Sequence, residues 1–119
     1  MNGIVLVVDA ETSLQKLFRA MLQEPGYRVD CVGTTAAIVA LLAQRYDGVL
    51  LDYQLPGEDG LSFALRAAPA LNLPPVLIVT GQDLWPLRQR VLPACVNAIL
   101  AKPLELQTLA ALAGQRFAP

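Results

Sequence analysis

Val49-Leu50-Leu51-Asp52, followed by Tyr53-Gln54-Leu55-Pro56-Gly57-Glu58-Asp59-Gly60, is the stretch on which the reading of this chain turns. Three apolar residues run straight into one acid. A short continuous apolar run bounded by turn residues predicts a strand buried on both faces. An acid at its end, with a Pro/Gly loop beyond, is lifted to the rim of the sheet, where open α/β sheets bind ligands. Asp52 is therefore the leading candidate for a nucleophile that accepts a phosphoryl group.

The segments before Val49 repeat the same logic. Ile4-Val5-Leu6-Val7-Val8 is an apolar run that ends in Asp9 and suits a central parallel strand. Glu11, Thr12 and Ser13 supply helix-start chemistry. Leu14, Leu17, Phe18, Met21 and Leu22 then follow the spacing of an amphipathic helix, which Pro25-Gly26 stops. Tyr27 to Val32 alternates polar and apolar residues, as an edge strand does. Thr34 or Thr35 is placed to cap a second helix, with Ile38, Leu41, Leu42 and Arg45-Tyr46 on its inward side, and Asp47-Gly48 turns into the Val49 strand.

The pattern continues after Asp52. Leu61, Ala64, Leu65 and Ala68 predict a third helix, and Pro69 and Pro74-Pro75 bound the next loop. Val76-Leu77-Ile78-Val79 is a fourth strand that ends at Thr80-Gly81. Asp83 begins a short fourth helix, with Pro86 in its first turn and Leu84, Leu87 and Val91 at core spacing, closed by Pro93. Ala98-Ile99-Leu100-Ala101 is a fifth strand that ends at Lys102-Pro103. A last helix starts at about Leu104 and carries Leu106, Leu109, Ala110, Ala113 and Phe117 on one side.

Strict β-α alternation predicts a parallel sheet with helices on both faces and right-handed crossovers. The expected fold is a five-stranded, doubly wound, flavodoxin-like sheet of order 2-1-3-4-5. That order makes strands 1, 3, 4 and 5 neighbours, and in a parallel sheet their C-terminal ends share one edge. Asp9, Asp52, Thr80 and Lys102 end those four strands, so two acids, a hydroxyl and an ammonium are expected to converge. The set suits phosphoryl transfer to a carboxylate. Mg2+, held by one or two carboxylates, is the usual counterion in such a site. The order also puts Cys31 and Cys95 at opposite edges, too far apart for a disulfide.

Composition narrows the function classes. The chain is 55% hydrophobic and 16% charged, with a net charge of -1. No basic patch or run is present, which argues against direct nucleic-acid binding. No apolar run approaches the ~20 residues of a membrane span, and no basic segment precedes a long apolar one as in a signal peptide. With two cysteines that lack metal-ligand spacing, these features are those of a cytoplasmic protein. The absence of histidine excludes Ser-His and Cys-His catalysis and any His-ligated metal within these residues. A phosphohistidine donor would have to lie on another chain or domain.

Over essentially its whole length the chain resembles the receiver domain of two-component response regulators. The matching pieces are Val5-Leu6-Val7-Val8-Asp9, Asp52 through Gly60, Val79-Thr80-Gly81 and Ala101-Lys102-Pro103. The resemblance implies a single receiver domain over residues 1–119, with no output domain in this chain. It implies that Asp52 is phosphorylated by a sensor histidine kinase or phosphotransfer protein, that Thr80 turns toward the phosphoryl group, and that Lys102 pairs with it. It also implies a cis bond at Lys102-Pro103 and an Mg2+ shell of Asp9, Asp52 and the Gln54 carbonyl, with the Gln54 side chain influencing phosphate lifetime. Such a domain is a phospho-acceptor, not an enzyme, and the family signals through the fourth helix, fifth strand and fifth helix. Here that is the region of Trp85 and Ile99.

Two departures stand out. Receivers carry two acids after strand 1, whereas here Ala10 follows Asp9, which weakens the expected Mg2+ site; Glu11 comes one residue later. Ile99 replaces the aromatic residue common at that position, which moves the expected switch to the backbone or the fourth helix. The alternative is a degenerate receiver, a phosphorylation-independent interaction module. Asp9-Ala10-Glu11-Thr12 also weakly resembles the nucleophile motif of haloacid-dehalogenase-type phosphatases, but no paired-acid motif accompanies it near a late strand. A flavodoxin-like cofactor binder would need a Gly-rich phosphate loop after the first strand, and none is there.

Overall fold

The computed structural model describes residues 3–71, 73–90, 92 and 94–117, apart from the side chains at 69–71, 85 and 88. Five strands form one parallel sheet: β1 (Ile4–Val8), β2 (Arg28–Val32), β3 (Gly48–Asp52), β4 (Val76–Thr80) and β5 (Val96–Ala101). Their spatial order is β2-β1-β3-β4-β5, as the alternation required. Among the described residues four helices connect them, α1 (Thr12–Gln23), α2 (Thr34–Ala43), α3 (Gly60–Leu71) and α4 (Leu84–Arg88), and a fifth, α5 (Leu106–Arg116), follows β5. A two-residue hairpin ladder, Gln54–Leu55 against Glu58–Asp59, lies between β3 and α3.

The core is split by the sheet into two layers because alternate strand residues face opposite ways. Val5, Val7, Leu50, Leu77 and Val79 pack with Phe18, Met21 and Leu22 of α1 and with Leu109, Ala113 and Phe117 at α5. Leu6, Val8, Val49, Leu51, Ile78 and Ile99 pack on the other face with Ala37 of α2, Phe63, Ala64 and Ala67 of α3, and Leu87 of α4. β3 and β4 are buried along their whole length, which is why their sequences are continuous apolar runs. β2 and β5 are the edges, and Cys31 and Cys95 are both free thiols. Four strand spacings separate those edges by roughly 19 Å, well beyond disulfide reach.

Several local expectations shift. Leu17 (51% exposed), Leu42 (69%) and Leu65 (52%) face outward, and Arg45 is exposed, while Ala37 and Phe63 take the inward places. Apolar residues crowd both sides of α2 and α3, so periodicity does not single out one inward stripe there. Neither threonine caps α2: Gly33 is the cap residue and Thr34 is already helical. α3 runs through Pro69 to Leu71, since one missing amide does not outweigh the packing of the helix. β5 begins at Val96, before the expected Ala98, with a register irregularity between Val76 and Leu77. α5 begins at Leu106 rather than near Leu104, and Leu106 is 38% exposed. Val91, Pro93 and the Trp85 side chain, on which part of the α4 reading rested, lie outside the described residues.

Candidate phospho-acceptor site

The site is built by register. Val8 lies opposite Leu51 in the β1-β3 pairing, so the next residues along the two strands, Asp9 and Asp52, emerge side by side. β4 places Val79 beside Asp52, and β5 places Ala101 beside Thr80. Lys102 continues β5, and its amide donates to the Thr80 carbonyl at 2.7 Å. The Lys102-Pro103 peptide bond is cis, as the resemblance implied.

Asp52 is 6% exposed: it stands at the rim of the sheet but is buried there by the loops around it. Lys102 Nζ lies 3.1 Å from Asp52 Oδ1. The Gln54 amide donates to that same oxygen at 3.2 Å. The loop that supplies it turns tightly at Pro56-Gly57, where Gly57 has φ 84 and occupies the turn position that favours glycine. The Gly60 amide then returns to the Tyr53 carbonyl at 2.6 Å. A Cβ on Gly60 would lie 2.7 Å from the Asp52 carbonyl oxygen, so the close approach of this loop to β3 requires glycine.

Asp9 is fully buried. Its Oδ1 accepts the Glu11 amide at 2.9 Å, whereas its Oδ2 has no hydrogen-bond partner. Burial pushes the Asp9 carboxyl above its usual 3.8; the Glu11 amide opposes the shift, and the Asp52 charge adds to it. A buried, unpartnered carboxylate oxygen beside a second acid suits a hard cation with oxygen ligands. Ala10 is exposed and adds no side-chain oxygen. Glu11 is exposed as well. Among the described residues no group of three or more His, Cys, Asp or Glu is arranged to hold a metal ion. The candidate donors are those that the resemblance implies, Asp9, Asp52 and the Gln54 carbonyl.

Thr80 is fully buried, and its Oγ1 accepts the Gln82 amide at 3.0 Å. The hydroxyl is thus engaged with its own loop rather than with Asp52. Ile99 is 7% exposed and belongs to the same core cluster as Leu84 and Leu87. It is part of the packing beneath α4, not a surface contact. Sequence reasoning missed the cluster formed by Tyr53, Asp59 and Arg90 beside this site. Tyr53 OH lies 3.2 Å from Arg90 Nη1, and Asp59 Oδ2 lies 3.4 Å from it. No local pattern links a loop residue with an arginine on a different loop.

The family model for the response regulator receiver domain matches residues 5–113. The chain belongs to the response regulator receiver domain family. It is 35% identical over 108 residues to the transcriptional regulatory protein PmrA of Pectobacterium parmentieri, covering 90% of this chain and 49% of that protein. It is 34% identical over 112 residues to the cyclic di-GMP phosphodiesterase response regulator RpfG of Xanthomonas campestris, covering 90% of this chain and 30% of that protein. The receiver thus spans half or less of these relatives' own length. Among solved structures, the receiver domain of a Pseudomonas aeruginosa PAO1 sensor histidine kinase, with magnesium coordinated in its active-site cleft, is 31% identical. It superposes with a TM-score of 0.81 over 98% of both chains. A Francisella response regulator receiver domain, at 22% identity, shares the fold with a TM-score of 0.85 over 98% of this receiver and 97% of that chain. Among the described residues no helix of this receiver is long and apolar enough to cross a membrane.

Proposed function

We propose that this receiver accepts a phosphoryl group on Asp52 from a phosphohistidine of a sensor histidine kinase or phosphotransfer protein, and changes its partner contacts as a result. The observation that carries the reading is the Lys102–Asp52 contact at 3.1 Å, with the buried Asp9 at its side. An Asp52 carboxylate oxygen bonds to phosphorus as the phosphorus–nitrogen bond breaks, and the histidine leaves with its electron pair. Lys102 offsets the charge that gathers on the transferred oxygens. Thr80 donates to one of them once its hydroxyl turns from the Gln82 amide. Gln54, exposed at the mouth, governs the approach of water to the product.

The donor set fits Mg2+, which takes one or two carboxylates and keeps several waters. Asp9, Asp52 and the Gln54 carbonyl would hold it, and it would supply positive charge against the phosphoryl oxygens. With Ala10 in place of an acid, the binding is weaker than a third carboxylate would give. The protein acts as a cytoplasmic phospho-acceptor in a phosphorelay, not as an enzyme with turnover. Residues 1–119 form one receiver domain, with the output carried by another domain or another protein, contacted on the α4 and β5 side.

Acetyl phosphate with Mg2+ should add one phosphoryl group to the wild type and none to Asp52→Asn. A wild type that takes up no label under any Mg2+ concentration would sink this reading. The alternative, an interaction module independent of phosphorylation, would then stand, and the exposed Ala10 is the observation in its favour.

A further inference from the structure

Tyr53 is the residue immediately after Asp52, and its backbone is pinned to the sheet. Its amide donates to the Val79 carbonyl at 2.8 Å and its carbonyl accepts the Gly60 amide at 2.6 Å. The ring is buried in the core cluster that includes Leu55 and Leu87. The hydroxyl reaches outward, 3.2 Å from Arg90 Nη1 and 3.4 Å from Asp59 Oδ2. Arg90 Nη1 is itself 3.4 Å from that carboxylate oxygen. Three side chains therefore meet, each within reach of the other two.

What they join matters more than their number. Asp59 pairs with Gln54 across the hairpin, and Gln54 donates its amide to Asp52 Oδ1. Asp59 Oδ1 also accepts the Ser62 amide at 2.7 Å, in the first turn of α3. On the other side, the Arg90 amide donates to the Leu87 carbonyl at 3.2 Å, which ties Arg90, two residues beyond α4, to the end of that helix. Burial would raise the Asp59 carboxyl, but the Ser62 amide and hydroxyl and the Arg90 charge together hold it below its usual value.

We propose that Arg90, Asp59 and Tyr53 form a clasp through which the Asp52 loop and α4 regulate one another. The proposal rests on the assignment of Asp52 as the phospho-acceptor and says how its state reaches α4. Ile99 is branched and packed beneath α4, and offers no ring whose swing could carry the signal. The clasp supplies a different route. A phosphoryl group on Asp52 pulls on Gln54, Gln54 shifts Asp59, and Asp59 changes its hold on Arg90. By linkage the effect is reciprocal: whatever displaces Arg90 from Asp59 alters ligand affinity at Asp52. The Arg90 and Asp59 side chains are 38% and 30% exposed, so the ion pair is screened by solvent and weak enough to open. A device of this kind has two accessible arrangements and shifts their balance by about two- to fivefold.

Hydrogen exchange followed by mass spectrometry tests it, on peptides that cover residues 53–60 and 84–90. The proteins are the wild type, Arg90→Ala, Tyr53→Phe and the double variant, each without ligand and with Mg2+ and beryllofluoride, an analogue of the phosphoryl group. Uptake of the analogue is read separately by fluorine NMR. Without ligand, each single variant should speed exchange in both segments by about two- to fivefold, and the double variant no further. With the analogue, the wild type should change exchange in 84–90, whereas Arg90→Ala should take up the analogue and leave 84–90 unchanged. Equal exchange in all ligand-free proteins would overturn the clasp. An 84–90 response in Arg90→Ala equal to that of the wild type would overturn the coupling. A wild type that does not take up beryllofluoride would overturn the Asp52 assignment, and the regulatory role with it, while the ligand-free arm still reports on the contacts.

Discussion

Lys102 Nζ lies 3.1 Å from Asp52 Oδ1, although the two residues are 50 positions apart in the chain. The pair is three-quarters or more buried on each side, with side chains 21% and 6% exposed. Asp9 is beside it, so the lysine offsets the mutual repulsion of two acids. Removing it should leave those acids facing each other without a cation. Lys102→Ala should destabilise the metal-free protein by about 2 kcal/mol, less than the loss of one partner in a fully buried pair. Adding Asp52→Asn should restore most of that stability. Phosphoryl uptake by Lys102→Ala should fall by roughly a hundredfold, the scale of losing one charge-stabilising donor. Urea titration and acetyl phosphate labelling check the two halves. Equal stability of Lys102→Ala and the wild type would mean that the pair contributes nothing.

Ala10 is exposed next to a buried acid whose Oδ2 has no partner. Ala10→Asp should therefore tighten Mg2+ binding, by about tenfold for one added carboxylate ligand, and speed labelling by a small-molecule donor. Calorimetric titration of both proteins with Mg2+ reads the change directly. If the wild type already binds as tightly as the variant, another group replaces the missing acid.

Asp9 binds its proton more tightly when folded than when unfolded, because burial disfavours its charge and the Asp52 charge adds to the effect. Its ionisation therefore opposes folding. The opposition is absent below the ordinary value of 3.8 and grows as pH rises from there through the raised folded value. In chelator, Asp9→Asn should be more stable than the wild type above that window, with a gain of a few degrees in Tm. The gain should shrink toward zero as pH falls below the window. Mg2+ should raise the Tm of the wild type and leave that of Asp9→Asn nearly unchanged. A pH-independent difference would show that the charge of Asp9 is not the cause.

Gly60 approaches β3 so closely that a Cβ there would lie 2.7 Å from the Asp52 carbonyl and 3.1 Å from Tyr53 Cα. Both obstacles are backbone and cannot rotate aside. Gly60→Ala should destabilise the protein by about 1–3 kcal/mol and weaken Mg2+ binding through displacement of Gln54. Gly33→Ala, with nothing within 4 Å of its Cβ, is the control and should leave Mg2+ binding unchanged. Thermal melts and Mg2+ titration of both variants decide the matter.

The chain's own pattern determined a great deal. Four apolar runs that end in Asp9, Asp52, Thr80 and Lys102 implied both the strand order and the shared edge, because a parallel sheet covered on both faces leaves few other arrangements. Where polarity alternates cleanly, as in β2, the edge position was legible too. α2 and α3 were not: with Val39, Leu42 and Leu65 apolar yet exposed, the inward face was decided by contact with the sheet, not by residue type. The end of α3 beyond Pro69 and the early start of β5 were likewise set by packing and by the β4 pairing. At the site, residue types named the candidates, but only the tertiary structure decided the state of each. It left Asp9 Oδ2 without a partner, turned the Thr80 hydroxyl to Gln82, and buried Ile99 beneath α4. The meeting of Tyr53, Asp59 and Arg90 had no signal in the sequence, since it depends on where two loops from different strands come to rest. Periodicity records which side of an element faces the core; it does not record which loop ends meet above the sheet.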